Sequence, residues 1–329
     1  MEDRMKKLVS LFGKETSLNV LLNNKAKEYA EEKGIEYVWS PMNPFTEEAA
    51  VEALKDADAG LIDVETYDKS IFSKIHERTK LLIRFGVGFD AVNLQDAAEY
   101  GIKVARTQGA NATGVAEYAL LLIMALRRKL LSGNRGVREG DWTKEIGNET
   151  VGSTVGILGF GAVGKTFAKL LQGFGCRVLA YDNWQDQKAA EELGVEFVDA
   201  ETVFRESDAI TVHLAFNDDT HFFVNKERLS LMKPGSVIVN TSRGPVIDEQ
   251  ALTEALQSGR LGGAGLDVFI EEPLSLKSEL IKLDNVILSP HVASSTFESL
   301  WNIYKMAIDI TDDFYNNKKS ENINKCYLN

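Results

Sequence analysis

Short apolar segments alternate with longer amphipathic stretches along most of the chain. In about the first hundred residues the apolar segments have the length of strands, and the stretches between them have helical spacing. The predicted strands cover 7–12, 36–39, 59–64, 80–85 and 103–105, and the predicted helices cover 18–33, 46–56, 68–78 and 94–100. Strands that alternate with helices indicate a parallel sheet with helices on both faces. This part is therefore predicted to be a small α/β domain.

The alternation resumes in the second half of the chain. Two strands flank a glycine-rich turn at 155–182, and five more are predicted at 196–198, 209–214, 236–240, 263–268 and 286–288. The helices between them include 185–193, 226–231 and 249–257, so a doubly wound seven-stranded sheet is expected. The tail, 295–316, is predicted to be an amphipathic helix. A helix over 115–131 is apolar on nearly every face, which fits either a core helix or a contact between domains or subunits.

The segment 155–182 reads VGILGFGAVGKTFAKLLQGFGCRVLAYD. Its glycines, Gly159, Gly161 and Gly164, have the G-x-G-x-x-G spacing of a dinucleotide-binding turn between a strand and a helix. The first permits the tight turn, the second the approach of a pyrophosphate, and the third the packing of helix on strand. Asp182 ends the next strand, where a carboxylate accepts hydrogen bonds from a ribose 2′-hydroxyl and repels a 2′-phosphate. NAD is therefore the expected cofactor.

Composition narrows the choice of partners. The chain has 329 residues, enough for two domains, and a net charge of −12, which argues against nucleic acid and anionic membranes as partners. No stretch is long and apolar enough to span a bilayer, and the N-terminus does not resemble an export signal. The two cysteines fit no disulfide or metal spacing. We expect a cytoplasmic protein that contains no metal.

Ligands of such sheets bind at the carboxyl ends of the strands, so polar residues that follow the later strands are candidates for chemistry. Arg243 follows the strand at 236–240 and is suited to binding a carboxylate and polarising an adjacent carbonyl. His291 follows the last strand and can donate or accept a proton near neutral pH. Glu272 can stabilise the charged imidazole. Together they predict reduction of a ketone by NADH.

Each of these residues also has an ordinary structural interpretation. Arg243 could cap a helix or lie on the surface, Glu272 could belong to a solvated turn, and His291 could be a loop histidine. The three residues together favour a catalytic site, because all of them follow strands at the edge of the sheet where a ligand is predicted to bind. His213 ends another strand and is a candidate contact for the cofactor.

Several motifs carry a resemblance to a known family. They read RFGVGFDAVN from Arg84, GFGAVG from Gly159, NTSRGPVIDEQAL from 240, GLDVF from 265 and SPHVASST from 289. The chain resembles the NAD-dependent D-2-hydroxyacid dehydrogenases, a family that includes phosphoglycerate, hydroxypyruvate and lactate enzymes. The resemblance implies two doubly wound parallel-sheet domains with a cleft between them. A flavodoxin-like substrate-binding domain would comprise 1–106 and 293–329, and a Rossmann domain that binds NAD would comprise 107–292.

The resemblance also implies roles for particular residues. Arg243 would bind the substrate carboxylate and carbonyl, His291 would be the acid and base, and Glu272 would orient it. The expected cofactor contacts are Gly159, Gly161, Ala162, Val163, Gly164, Asp182, His213, Thr241, Ser242, Arg243 and Asp267, the last to the nicotinamide amide. The expected substrate contacts, besides Arg243, are Arg84 and the backbone amides of Gly86, Val87 and Gly88. A homodimer is implied as well.

Two departures from the family pattern bear on specificity. Members that act on phosphorylated substrates usually carry an arginine–serine pair after the third strand, where this chain has Asp63-Val64-Glu65. A phosphoglycerate enzyme is therefore less favoured than one for a small 2-keto acid and its D-2-hydroxy acid. The second departure is Ala215-Phe216, where the family usually has a proline. The alternatives are an NAD-sensing protein of the corepressor type and a dehydrogenase of one-carbon or inorganic anions. Formate enzymes of this fold usually have glutamine in place of Glu272, which counts against the second alternative.

Overall fold

The computed structural model describes residues 4–318 and 320–329. The chain divides into two compact units, the first comprising 1–111 and 296–329 and the second comprising 112–295. Among the described residues, no helix combines the length and the apolar character that a membrane span requires.

The first unit contains a five-stranded parallel sheet. Its strands are β1 (Lys6–Ser10), β2 (Ile35–Trp39), β3 (Ala59–Ile62), β4 (Leu81–Arg84) and β5 (Lys103–Arg106), in the order β2-β1-β3-β4-β5. The helices between them are α1 (Ser17–Glu32), α2 (Glu47–Leu54), α3 (Lys69–Ile75) and α4 (Leu94–Glu99). This is the flavodoxin-like strand order, and it confirms the parallel sheet predicted from the alternating pattern.

The second unit begins with two helices, α5 (Ala112–Arg127) and α6 (Leu130–Glu139), ahead of a seven-stranded parallel sheet. Its strands are β6 (Thr154–Leu158), β7 (Arg177–Tyr181), β8 (Val195–Phe197), β9 (Ala209–Val212), β10 (Val237–Asn240), β11 (Gly263–Leu266) and β12 (Val286–Leu288). The helices of this sheet are α7 (Ala162–Leu171), α8 (Gln187–Leu193), α9 (Ala200–Glu206), α10 (Lys226–Leu231) and α11 (Glu249–Gln257). The strand order β12-β11-β10-β9-β6-β7-β8 is that of a Rossmann sheet, as predicted.

The chain then returns to the first unit through α12 (Phe297–Asn316) and α13 (Glu321–Asn324). Thr296 starts α12 as its N-cap, because its hydroxyl accepts a hydrogen bond from the amide of Ser299 at 3.1 Å. Tyr304 on α12 is fully buried, and its hydroxyl accepts a hydrogen bond from Asn23 on α1 at 3.2 Å. The last long helix therefore completes the core that the first helix begins.

The strands are apolar on both faces because helices cover each sheet on both sides. On β6, Val155 and Ile157 pack into one core while Leu158 packs into the other. On β1, Leu8 and Val9 divide in the same way between the two cores of the first unit. This alternation leaves the carboxyl ends of the strands as the place where polar residues can gather.

The predicted single helix over 115–131 is wrong in one respect. The structure has two helices there, separated by Arg128 and Lys129, and Lys129 adopts a left-handed backbone with φ of 53°. The guanidinium of Arg127 donates to the carbonyl of Glu149 at 2.6 Å, which fixes the chain where α5 ends. The helix α6 buries none of its residues, and Leu121 on α5 is 54% exposed. Only some of the apolar side chains of this segment therefore pack into the core of the second unit.

Candidate active site

The glycine-rich turn connects β6 to α7. Gly159 has φ of +97°, and a Cβ placed on it would lie 2.6 Å from the carbonyl carbon of His213. A Cβ on Gly164 would lie 2.2 Å from the carbonyl oxygen of Gly159. Any side chain at these two positions would collide with backbone, so the turn and the start of α7 require glycine.

The start of α7 has the properties of a pyrophosphate-binding site. The amide of Lys165 makes the first backbone hydrogen bond of the helix, to the carbonyl of Gly161 at 3.0 Å. The amides of Ala162 and Val163 precede it and have no acceptor within the helix. A Cβ on Gly161 would meet no atom within 4 Å, so the space in front of these amides is open. An anion placed there would face the positive end of the helix dipole.

Asp182 directly follows β7 and links it to the glycine turn. Its Oδ2 atom accepts a hydrogen bond from the amide of Phe160 at 2.7 Å, and its Oδ1 atom accepts one from Trp184 at 3.0 Å. Each carboxylate oxygen has room for a second donor. The carboxylate is therefore fixed beside the turn with acceptor positions left for ribose hydroxyls, an arrangement that suits NAD and disfavours a 2′-phosphate.

His213 and Thr241 are neighbouring polar side chains at the carboxyl ends of β9 and β10. The Nε2 atom of His213 lies 3.0 Å from the hydroxyl of Thr211, and its Nδ1 atom lies 3.4 Å from that of Thr241. Burial lowers the pKa of His213 to about 3. The imidazole is therefore neutral at physiological pH, and one of its nitrogens donates while the other accepts.

Asn240, the last residue of β10, organises the segment that carries Arg243. Its side-chain oxygen accepts from the amide and hydroxyl of Ser242 at 3.0 and 2.8 Å, and its side-chain nitrogen donates to the carbonyl of Arg243 at 2.9 Å. The guanidinium of Arg243 donates to the carbonyl of Ser242 at 2.8 Å. Arg243 is thus held on an ordered turn at the carboxyl end of a central strand.

Glu272 and His291 form a direct pair. The Nδ1 atom of His291 lies 2.8 Å from Oε2 of Glu272, and the two side chains are 46% and 38% exposed. The other carboxylate oxygen of Glu272 accepts from the amide of Phe269 at 3.0 Å. Because Nδ1 faces the carboxylate, Nε2 is the atom that can exchange a proton with a bound molecule.

The pair lines a cavity of about 530 Å³. The other residues that line it are Phe269, Pro273, Leu274, Leu288, Ser289 and Pro290, most of them apolar. A mostly apolar cavity with a few polar groups is typical of a small-molecule site.

Asp267 holds the backbone that carries His291. Its carboxylate is buried and accepts hydrogen bonds from the hydroxyl of Ser289 at 2.6 Å and from the amides of Val292 and Ala293 at 2.9 and 2.8 Å. The amide of His291 donates to the carbonyl of Asp267 at 2.8 Å. His291 itself adopts a left-handed backbone with φ of 53°, an uncommon conformation for a residue other than glycine.

These contacts give Asp267 a structural task that the sequence did not predict. Its Oδ1 atom accepts two hydrogen bonds and its Oδ2 atom one, which leaves an acceptor position for the nicotinamide amide. The predicted cofactor contact and the observed support of His291 are therefore compatible.

The first unit carries the remaining predicted substrate contacts. Arg84 ends β4, is buried, and donates to the carbonyl of Phe85. The amide of Gly86 donates to the hydroxyl of Thr107 at 2.9 Å. Within the described part of the chain, the amides of Val87 and Gly88 make no hydrogen bond, so these two are the donors of the turn that a carboxylate can use.

Within the second unit, parallel strands gather the predicted residues at one edge. Gly159, Asp182, His213, Arg243, Asp267 and His291 each follow the carboxyl end of a strand of the same sheet. Arg243 follows β10, Asp267 follows its neighbour β11, and His291 follows β12, the strand beyond. The structure joins Glu272 to His291 directly, whereas Arg243 lies on a separate turn.

Comparisons with known proteins identify the family. Residues 120–293 match the model of the D-isomer specific 2-hydroxyacid dehydrogenase, NAD binding domain, which is more than half of the chain. The chain belongs to this family. These enzymes use NAD to interconvert a 2-keto acid and its D-2-hydroxy acid.

Comparisons with individual relatives and solved structures agree with this family assignment. The glyoxylate reductase of Pyrococcus furiosus is 37% identical over 272 residues, covering 80% of each chain. The hydroxypyruvate reductase of Thermotoga maritima is 42% identical over 224 residues, covering 67% of this chain and 72% of the relative. The structure of a D-2-hydroxyisocaproate dehydrogenase superimposes with a TM-score of 0.85 at 27% identity, covering 98% of this chain and 99% of that one.

Other supporting residues of this D-2-hydroxyacid dehydrogenase had no recognisable signal in the sequence. Glu249 at the start of α11 accepts a hydrogen bond from the amide of Ile270 at 2.6 Å, which anchors the loop that carries Glu272. Asn240 and Glu249 both lie in the motif NTSRGPVIDEQAL, but their hydrogen bonds depend on side-chain orientations that sequence spacing does not give.

The position of Asp182 leads to a test of cofactor binding. We expect Asp182→Ala to weaken NADH binding about tenfold or more and to reduce the preference for NADH over NADPH, because the acceptor for the ribose hydroxyls is lost. Dissociation constants for both nucleotides, measured by titration, check this. Glu192→Ala removes an exposed acid from α8 and should change neither constant. An unchanged preference in Asp182→Ala would contradict the assignment.

Proposed function

We propose that this protein reduces a small 2-keto acid to the D-2-hydroxy acid with His291 as the proton donor. The observation that carries the proposal is the 2.8 Å contact between His291 Nδ1 and Glu272, at the sheet edge that also carries the glycine turn and Arg243. Bound NADH supplies a hydride to the carbonyl carbon. The chain's own residues bind the acid, polarise the carbonyl and deliver the proton.

The proton transfer follows from the orientation of the imidazole. Nε2 of the protonated His291 donates to the carbonyl oxygen, which becomes the hydroxyl oxygen as the hydride arrives. Glu272 stabilises the imidazolium and, through its bond from the amide of Phe269, keeps the ring oriented. In the reverse direction neutral His291 removes the hydroxyl proton.

Substrate binding requires cations or donors that match a carboxylate. We assign Arg243 to the carboxylate and the neighbouring carbonyl oxygen, because a guanidinium offers a planar pair of donors and a permanent charge. In the first unit, the amides of Val87 and Gly88 are assigned as donors to a carboxylate. The relatives named for glyoxylate and hydroxypyruvate support a short 2-keto acid as the substrate.

The quaternary structure is proposed on the exposed apolar residues of the second unit. Leu121 on α5 and Leu130, Leu131 and Val137 on α6 are exposed, as are Trp142 and Ile146 beyond α6. Apolar residues grouped in this way are typical of a protein interface. We propose a homodimer that buries this surface. We also propose that the protein is cytoplasmic, because its two cysteines fit no disulfide spacing.

The activity is tested with NADH and a series of 2-keto acids: glyoxylate, pyruvate, hydroxypyruvate, 2-ketobutyrate, and branched and aromatic examples. We expect loss of NADH absorbance with at least one of them and a D-configured product. His291→Ala should lower kcat by about 10²–10⁴-fold while NADH still binds, because general acid catalysis contributes on that scale.

His76→Ala provides the matched control, since His76 is a histidine at the end of α3 in the first unit and has no assigned role. Its kcat should equal that of the wild type. No turnover with any keto acid would refute the proposed function, and full turnover by His291→Ala would refute the role of that residue.

The proposed dimer is tested by sedimentation or light scattering. The wild type should have twice the mass of one chain. Leu121→Glu should shift the equilibrium towards single chains, because a buried carboxylate without a partner opposes association. Glu192→Gln on α8, an exposed acid outside this surface, is the control and should leave the mass unchanged. A monomeric wild type would contradict the proposal.

A further inference from the structure

The hydroxyl of Thr107 holds the turn that follows β4. Thr107 comes directly after β5 and is completely buried. Its Oγ1 atom accepts a hydrogen bond from the amide of Gly86 at 2.9 Å and donates one to the carbonyl of Gly86 at 3.2 Å. The amide of Thr107 donates to the same carbonyl at 3.0 Å. One residue therefore satisfies both backbone polar groups of Gly86.

The strand β5 in turn fixes the position of Thr107, because it is bonded on both sides. On one side β5 pairs with β4, and Arg106 lies opposite Arg84 at the end of this ladder. On the other side the amide of Arg106 donates to the carbonyl of Cys326 at 2.9 Å. Thr107 thus follows a strand end that is held by two neighbours.

The bonds to Gly86 set the direction of the Val87 amide. The two residues share a planar trans peptide, in which the carbonyl of Gly86 and the N–H of Val87 point in opposite directions. Thr107 donates two hydrogen bonds to this carbonyl, so the peptide plane cannot turn without breaking them. The N–H of Val87 therefore points away from Thr107 before any ligand binds.

The amides of Val87 and Gly88 are the ones that a ligand can reach. Both residues are half-buried, whereas Gly86 is buried and its amide already has an acceptor. Hydrogen bonds from backbone amides to a carboxylate are strong, but their strength depends on alignment. Bonds to the carbonyl of a peptide also polarise it, which makes its N–H a better donor.

We propose that Thr107 is a positioning residue for the binding of a substrate carboxylate by the turn at 86–88. It acts through Gly86 and holds the amides of Val87 and Gly88 ready as donors. The proposal rests on the proposed function, because the carboxylate is that of the 2-keto acid. Donors that are already oriented bind a ligand without a cost of reorganisation, so the hydroxyl of Thr107 contributes to substrate binding.

Thr107→Val tests this role, because valine has nearly the same shape and lacks the hydroxyl. The amide of Gly86 loses its acceptor, and the carbonyl of Gly86 keeps only one of its two donors. At saturating NADH we expect the KM for a 2-keto acid to rise about fivefold or more and kcat to change by less than about twofold, because the carboxylate is bound equally in the ground and transition states. Thr107→Ser keeps the hydroxyl and should restore KM to within about twofold of the wild type.

Thr79→Val is the matched control. Thr79 is also completely buried, and it lies two residues before β4, at the opposite edge of the same sheet. Its hydroxyl donates to the carbonyls of Leu54 at 2.7 Å and Ala57 at 3.0 Å. Both valine variants lose a buried, bonded hydroxyl and should have lower thermal stability, but Thr79→Val should leave KM unchanged.

Amide hydrogen exchange in the wild type is a test that needs no variant. In the free protein the amide of Gly86 should exchange slowly and those of Val87 and Gly88 rapidly, because only the first is hydrogen-bonded. With NADH and oxamate, an unreactive carboxylate analogue of a 2-keto acid, the exchange of Val87 and Gly88 should slow about tenfold or more.

The outcomes separate this proposal from the proposed function. If the wild type reduces no keto acid, the proposed function fails and this proposal fails with it. If keto acids are reduced but Thr107→Val keeps the wild-type KM, Thr79→Val raises KM as much, or oxamate leaves the exchange of Val87 and Gly88 unchanged, the positioning role is refuted while the proposed function stands.

Discussion

The carboxylate of Asp267 accepts hydrogen bonds from the hydroxyl of Ser289 and from the amides of Val292 and Ala293, on either side of His291. These bonds hold His291 in a left-handed backbone conformation that would otherwise cost about 1–3 kcal/mol. In that conformation the imidazole meets Glu272 at 2.8 Å. The geometry of the proposed proton donor therefore depends on a buried carboxylate that follows a neighbouring strand.

The parallel sheet explains why this arrangement is possible. Polar residues that follow β10, β11 and β12 emerge at one edge, although they are separated in sequence by more than twenty residues. Each is held by its own local contacts: Asn240 orders the turn of Arg243, and Glu249 anchors the loop of Glu272. Rigid supports of this kind keep a site preorganised before a ligand binds, and preorganisation is a large part of catalysis by electrostatics.

Much of the fold could be predicted from the sequence because its signals are local. Alternating apolar segments predicted both parallel sheets. The spacing of Gly159 and Gly164 predicted a glycine turn, and the structure confirms that a side chain at either position would collide with backbone. The support that Asp267 gives to His291 could not be predicted, since its partners lie 22 to 26 residues away in sequence. The break at Lys129 was also missed, because an apolar pattern continues across it and the contacts of Arg127 that end α5 are tertiary.

A double-mutant cycle on Asp267 and His291 tests the central claim most directly. The kcat of Asp267→Asn, His291→Ala and the double variant would be measured at saturating NADH, so that any loss of cofactor affinity is excluded. If Asp267 acts through His291, Asp267→Asn lowers kcat strongly in the wild type and by less than about twofold in the His291→Ala background. Equal losses in both backgrounds would show that the two residues act independently and would contradict the account.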